Sequence, residues 1–204
     1  MLHVFGESHA REGWNQLEPR CLVPGKVSIH CAQSDPPLMH SIGKKGLEVL
    51  DITRVGVRDG DIIIFCYGEV DCRCHIYKHL EQGLDYVVNN LAIDYMNTIA
   101  LNVKRYKDLR VGVYNVLPPA KKSRTWDNPS LPFLGTDEER LSYVIALNNK
   151  LEQACKEHGY IFVDIFKDYA DSEGFMNPAL SSDGLHISDP IGLARCLNRL
   201  FFRS

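Results

Sequence analysis

The sequence has no long apolar run, no large excess of either charge and no regular cysteine pattern. No uninterrupted apolar stretch in its 204 residues is long enough to cross a bilayer, so we expect no membrane span. The formal net charge of −3 offers nucleic acid no general attraction, and we expect no nucleic-acid partner. The seven cysteines are odd in number and irregularly spaced, and no secretory leader pattern is apparent. These features predict reduced thiols and a cytoplasmic protein.

The composition is that of an ordinary globular protein. Hydrophobic residues make up 45% of the chain and charged residues 24%. A chain of 204 residues is long enough to bury a sizeable core, and it predicts a single domain over residues 1–204.

Five short apolar runs have the character of buried strands. They are Leu2–Phe5, Lys26–Cys31, Asp61–Tyr67, Leu109–Val116 and Tyr160–Phe166. Several are apolar at consecutive positions, which is typical of strands covered on both faces by helices.

Helical patterns separate these runs. Apolar residues recur at helical spacing from Leu84 to Tyr106, and Thr136 with Glu139 forms a capping box before a second long helix. Asp189-Pro190 predicts the start of a final helix that continues to about Phe202. Strands that alternate with helices predict an α/β fold, a three-layer α/β/α sandwich around a parallel sheet of about five strands, flavodoxin-like in type.

Polar residues follow the predicted strands, and in such folds ligands bind at the carboxyl ends of the strands. They are Glu7, Ser8 and His9 after the first strand, His40 and Gly43 after the second, Glu69, Asp71 and Arg73 after the third, and Asp183 with His186 in a late loop. Together they supply a nucleophile, a base, an orienting carboxylate and oxyanion donors. That inventory indicates acyl transfer.

Three short motifs in this order resemble the SGNH hydrolase superfamily, also called the GDSL esterase/lipase family. "FGES" stands where the family has Gly-Asp-Ser, "GEVD" where it has Gly-x-Asn-Asp, and "DGLH" matches its Asp-x-x-His. The resemblance implies that Ser8 is the nucleophile, His186 the general base, and Asp183 the carboxylate that orients the imidazole. It implies no cofactor and no metal.

The sequence departs from the family at two positions. Val70 replaces the Asn that donates to the oxyanion, a hydrogen bond worth about 3–4 kcal/mol in hydrolases. We therefore expect the oxyanion hole to use the backbone of Ser8 and Gly43 together with Arg73, although Arg73 could equally be a salt-bridging helix residue. Glu7 replaces the usual Asp.

The resemblance also suggests a substrate class, because the family contains mostly esterases of acetylated sugars, lipids or thioesters. A carbohydrate O-acetyl esterase that works through an acyl-Ser8 intermediate is the first hypothesis. A glycan O-acyltransferase with the same triad is one alternative, and a non-catalytic glycan-binding or interaction module, favoured by Val70, is the other. The residues expected to contact a small-molecule or glycan ester are Glu7, His9, His40, Glu69 and Asp71.

Each motif also has an ordinary structural interpretation. Ser8 could cap a helix that begins near His9, and Asp183-Gly184 could be only a turn. Asp164, which lies in the fifth apolar run, is a rival orienting carboxylate, although a helix cap fits it better.

Cysteine and histidine residues raise a metal alternative. Cys72, Cys74 and His75 place three soft ligands together, but a helix beginning there would point them in different directions. His9, His40 and His75 each follow a different strand and could meet at the same rim.

Overall fold

The computed structural model of the protein describes residues 1–31, 37–126 and 128–202. The strands are β1 (Leu2–Gly6), β2 (Val27–Cys31), β3 (Ile62–Cys66), β4 (Arg110–Tyr114) and β5 (Ile161–Val163). The α-helices are α1 (Met39–Lys45), α2 (Leu84–Val103), α3 (Asp137–His158), α4 (Phe166–Tyr169) and α5 (Ile191–Leu197). Short 3-10 segments cover Ser8–Ala10, Trp14–Gln16, Gly46–Glu48, Ile52–Val55, Ile76–Gln82, Lys122–Arg124 and Pro178–Leu180, and π turns cover Asp71–His75 and Asn198–Phe202.

The five strands form one sheet in the order β2-β1-β3-β4-β5, and every neighbouring pair is parallel. The order reverses at β1, which lies between β2 and β3. This arrangement confirms the predicted flavodoxin-like α/β fold.

Consecutive strand residues face two separate cores, because side chains alternate across a sheet. Ile63 and Phe65 pack into a core shared with α1, α2 and α3. Ile62 and Ile64 pack on the other face, in a core that includes Trp14 and residues of α5. The sheet is therefore the middle layer of three, as predicted.

The element boundaries follow local caps. Thr136 Oγ1 accepts the N–H of Glu139, and the Glu139 carboxylate accepts the N–H of Thr136, which confirms the capping box of α3. The strand β5 is shorter than predicted, because the chain turns at Asp164, whose Oδ1 accepts the N–H of Phe166 at 2.9 Å just before α4. The final helix reaches Phe202 as predicted, since α5 continues at Asn198 as a π-helical turn.

The turn after β1 requires a glycine. A Cβ atom at Gly6 would lie 2.3 Å from the carbonyl oxygen of Cys66 and 2.4 Å from Cβ of Ala10. The missing side chain thus allows the chain to turn tightly against β3 and to present Ser8 at the carboxyl edge of the sheet. Within the described ranges, no helix is long and apolar enough to span a membrane.

Candidate active site

Ser8, His186 and Asp183 form a continuous hydrogen-bonded chain at this edge of the sheet. Ser8 Oγ lies 2.7 Å from His186 Nε2, and His186 Nδ1 lies 2.6 Å from Asp183 Oδ2. An ionised carboxylate can only accept, so Nδ1 carries a proton and Nε2 of a neutral ring accepts the hydroxyl proton of Ser8. The geometry thus poises the imidazole to remove a proton from the serine.

Asp183 is held by the turn that carries His186. Its Oδ1 accepts the backbone N–H of Leu185 at 2.9 Å and of His186 at 2.8 Å. Burial alone would raise the pKa of Asp183, but the hydrogen bonds from the His186 ring and from these two N–H groups outweigh it and lower the pKa to about 2. The carboxylate is therefore ionised throughout the neutral range and fixes the tautomer of His186.

The alternative roles for these residues do not fit the structure. Glu7, not Ser8, occupies the cap position of the 3-10 segment Ser8–Ala10, and no side chain caps it. The rival carboxylate of Asp164 is engaged elsewhere, because it accepts the N–H of Phe166 in the turn just before α4.

The His186 turn rests on the long loop that follows β4. Gly184 has a φ of +79°, and a Cβ atom there would lie 2.4 Å from the carbonyl oxygen of Arg124. Arg124 also forms an ion pair with Asp171 at 2.9 Å. The proline-rich loop therefore supports the turn that carries His186. No sequence motif predicted this contact.

Glu7 and His9, the neighbours of the nucleophile, turn into the protein and are only 1% and 4% exposed. Glu7 Oε1 accepts the N–H of Glu69 at 2.8 Å. His9 Nε2 lies 3.2 Å from the carbonyl oxygen of Leu185, and its ring centroid lies 4.6 Å from that of His186. A buried polar cluster thus lies directly beside the triad.

Electrostatics in this cluster disfavour charge on both buried neighbours. Burial raises the pKa of Glu7 well above its usual range, and the nearby carboxylate of Glu69 adds to the shift. Burial likewise lowers the pKa of His9 well below its usual range, with further repulsion from His186 and Arg73. The His9 ring is therefore neutral.

Asp71 is a structural residue, and the prediction that it contacts substrate is wrong. Its side chain is fully buried, and its two oxygens accept the N–H of Met39 at 2.8 Å and of His40 at 3.1 Å. Burial raises the pKa of Asp71 to about 6 in spite of these hydrogen bonds. The carboxylate holds the first turn of α1 against the segment that follows β3.

Burial separates the five predicted substrate-binding residues. Glu7, His9 and Glu69 are 1%, 4% and 8% exposed, so their contact with a substrate stays a prediction, whereas Asp71 is fully buried. His40 is half-buried and opens into a cleft of about 260 Å³. Of the five residues, only His40 has substantial solvent-exposed surface.

Arg73 lies in the buried cluster and is 7% exposed. Its guanidinium forms an ion pair with Glu69 at 3.2 Å and stacks over the ring of Phe133 at 5.1 Å. Arg140 lies over the same ring at 5.1 Å. The contacts of Arg73 are those of a buried salt bridge, so its oxyanion role stays a prediction.

Gly43 does not fit the predicted oxyanion role. It is the fifth residue of α1, where the N–H belongs to the helix's own hydrogen bonds. A Cβ atom there would lie 2.7 Å from Cβ of Asp94 in α2. The glycine therefore permits close packing of two helices instead of donating to a substrate.

The Cys72–His75 segment disperses its potential metal ligands, as its helical geometry predicts. Cys72 is buried in the core, and the Cys74 thiol donates to the carbonyl of Val70 at 3.2 Å. The ring centroid of His75 lies 4.2 Å from that of His40 in the cleft, and His9 lies elsewhere, beside the triad.

Comparisons with solved structures confirm the fold. A GDSL-like lipase from Bacteroides thetaiotaomicron matches with a TM-score of 0.60 and 16% identity, covering 98% of this chain and 84% of the other. An acetyl xylan esterase matches with a TM-score of 0.59 and 12% identity over 98% and 99% of the two chains. A phospholipase A1 from Streptomyces albidoflavus matches with a TM-score of 0.57 and 12% identity over 98% of each chain.

The chain therefore has the fold of the GDSL-like lipases and esterases, in agreement with the SGNH hydrolase resemblance. No protein-family profile matches the sequence, and no curated protein is similar to it at a significant level.

Proposed function

We propose that this protein is a serine-dependent ester hydrolase that removes acetyl groups from carbohydrate through an acyl-Ser8 intermediate. The observation that carries the proposal is the hydrogen-bonded chain from Ser8 Oγ through His186 to Asp183, with links of 2.7 and 2.6 Å. These links join residues from opposite ends of the chain, and a merely structural role for Ser8 would not need them.

The proposed reaction has two halves. Ser8 Oγ attacks the ester carbonyl while His186 Nε2 takes the hydroxyl proton, and the tetrahedral intermediate collapses as the imidazolium returns that proton to the leaving alcohol. Water then loses a proton to His186 as it attacks the acyl-Ser8 carbonyl. The second tetrahedral intermediate collapses as the imidazolium returns that proton to Ser8 Oγ, which releases free Ser8 and acetic acid, ionised to acetate in water. Asp183 stabilises the imidazolium in both halves without itself taking a proton.

Oxyanion stabilisation is the step in which this chain differs most from the family. Val70 is 2% exposed and offers no donor, and α1 engages Gly43. The backbone N–H of Ser8 is the donor that the resemblance leaves in place. Arg73 stays a candidate for a long-range electrostatic contribution, because its positive charge reaches both Glu7 and His9 beside the nucleophile.

An exposed aromatic residue supports a carbohydrate substrate. Trp126 is 80% exposed and follows Arg124, whose carbonyl supports the His186 turn. Its flat apolar indole face is free to pack against the apolar face of a sugar ring. One of the similar structures is an acetyl xylan esterase.

The buried Val70 favours one alternative, a non-catalytic glycan-binding module. A fluorophosphonate probe distinguishes this module from the proposed hydrolase. Wild-type protein should gain the mass of one adduct, and Ser8→Ala, which removes only an oxygen, should gain none. Unlabelled wild-type protein with an intact fold would favour the binding module. With labelling established, a comparison of water with sugar hydroxyls as acyl acceptors separates the hydrolase from an O-acyltransferase.

A further inference from the structure

The buried cluster beside the triad has no role in the proposed hydrolysis, although its polar atoms converge. One potential ligand atom from each of Glu7, His9 and Glu69 lies within 4.8 Å of the other two. Across the described ranges, no other trio of His, Cys, Asp or Glu side chains comes this close together.

Three side-chain atoms of this cluster are buried without a hydrogen-bond partner. They are Glu7 Oε2, His9 Nδ1 and Arg73 Nε. Buried polar atoms are nearly always paired, and an unpaired one costs about 1–3 kcal/mol. An unpaired carboxylate oxygen and an unpaired imidazole nitrogen in one buried cluster indicate that a donor or a cation is missing there.

The tautomer of His9 identifies what kind of partner is required. Nε2 lies 3.2 Å from the carbonyl oxygen of Leu185, which can only accept, so Nε2 carries the proton. Nδ1 of the neutral ring is then a lone pair in need of a cation or a donor. Metal-binding histidines characteristically donate their other ring N–H to a backbone carbonyl in this way.

The charge of the cluster also favours a cation. The groups that act on one another here are the carboxylates of Glu7, Glu69 and Asp71 and the guanidinium of Arg73. Three acidic side chains thus surround one guanidinium, which pairs with Glu69 at 3.2 Å. A divalent ion would supply the cationic partner that this ion pair does not give to the other two.

The cluster has room for an ion. A cavity of about 10 Å³ is lined by Glu7, His9 and Glu69 together with the segment after β4. That volume is near the lower limit of about 10–15 Å³ for a water molecule, and a bare metal ion is smaller.

We propose that Glu7, His9 and Glu69 bind a divalent transition-metal ion. One imidazole and two carboxylates suit Zn²⁺ or Mn²⁺, whereas Mg²⁺ and Ca²⁺ prefer oxygen ligands alone. Zinc ligands at about 2.0–2.2 Å lie about 3.5 Å from one another, so small side-chain rotations close the site. The ion would fix His9 beside His186, and it contradicts our expectation of a metal-free protein.

A neighbouring cleft supplies both the rival site and the control. The rings of His40, His75 and His79 lie there with centroids 4.2 and 4.6 Å apart, and half-buried histidines that line an open cleft can take up zinc adventitiously. Replacing His75 removes a central ring of that cleft without touching the buried cluster. The variants His9→Asn and His75→Asn therefore differ only in which cluster loses an imidazole.

The experiment titrates chelator-treated, full-length protein with Zn²⁺ in competition with a chromophoric chelator, in a Ser8→Ala background as well as in the wild type. We expect the wild type to bind one Zn²⁺ per chain, and Ser8→Ala and His75→Asn to bind it with the same affinity. The affinity of His9→Asn should be at least about 100-fold weaker, because even the loss of a residue that only orients a metal ligand weakens binding about 10–100-fold. Because Ser8→Ala is catalytically dead by design, this result does not depend on the hydrolase proposal. Glu69→Gln replaces His9→Asn if the latter fails to fold.

Two results would overturn the proposal. Loss of zinc in His75→Asn but not in His9→Asn would assign binding to the histidine cleft. Absence of stoichiometric binding in folded wild-type protein would mean that a proton on Glu7, and not a metal, satisfies His9 Nδ1.

Discussion

The triad and the buried cluster meet at one turn, which contains Glu7, Ser8 and His9. They differ in solvent exposure and in hydrogen bonding. Ser8 is half-exposed and hydrogen bonded to His186, whereas Glu7 and His9 on either side of it are buried. The ring of His186 has a partner at each nitrogen, and the ring of His9 has one only at Nε2. Two histidines whose rings are 4.6 Å apart thus have opposite environments.

This difference shows how one turn can serve two purposes. Successive side chains of Glu7, Ser8 and His9 diverge, so a single tight turn after β1 presents a nucleophile outward and two potential ligands inward. The outward group depends on a distant Asp–His turn, and the inward groups depend on the segment after β3. Variants that affect one region and spare the other can separate the two.

The largest effect is expected for Asp183→Asn, which changes the triad and leaves the buried cluster alone. The amide cannot hold the tautomer of His186 in which Nε2 accepts, and the corresponding change in serine proteases lowers kcat by about 10⁴-fold. Steady-state hydrolysis of an aryl acetate measures it, and thermal unfolding should be almost unchanged. Retention of more than a tenth of the activity would remove Asp183 from the mechanism.

Arg73→Met tests the buried cluster in the same way. Removal of the guanidinium leaves Glu69 buried beside two other carboxylates, and such a broken buried pair costs about 3 kcal/mol. Arg11→Met is the matched control, because the pair of Arg11 with Glu12 is exposed and should contribute less than about 0.5 kcal/mol. Urea unfolding of the chelator-treated proteins measures the free energy of unfolding of each variant. Equal losses of this free energy would show that Arg73 is not an integral part of the cluster.

Gly184→Ala tests the contact between the His186 turn and the loop that supports it. Both Gly184 and Gly56 have positive φ values, +79° and +72°, but only at Gly184 would a Cβ atom collide with backbone, the carbonyl of Arg124. Each alanine should cost roughly 1 kcal/mol of stability through its backbone conformation. Gly184→Ala should in addition lower kcat by about 10–100-fold through displacement of His186, and Gly56→Ala should not. Equal kcat values for the two variants would show that the loop does not hold His186 in position.

The smallest effect is expected for Trp126→Ala, which leaves both regions intact. Loss of an aromatic stacking surface is worth about 1 kcal/mol, so KM for an acetylated oligosaccharide should rise about fivefold. KM for a small aryl acetate should be unchanged, because that substrate does not reach the loop. A parallel rise for both substrates would argue against a sugar-binding role for Trp126.

Local sequence signals determined the architecture and the three residues of the hydrogen-bonded chain. Apolar runs of strand length, the capping box at Thr136 and the order of Ser8, Asp183 and His186 led to the fold and to the triad geometry found here. These features depend on neighbouring residues and on the general rule that parallel strands end at one edge, so a single sequence carries them.

Tertiary packing decided the roles of the remaining polar residues. Asp71 and Arg73 have the same appearance in the sequence as site residues, but burial commits the first to α1 and the second to Glu69. Gly43 packs against α2, and the Arg124 carbonyl supports Gly184, through contacts between distant segments. Residue type sets what a side chain can do chemically, whereas solvent exposure and long-range neighbours decide which of those possibilities is used.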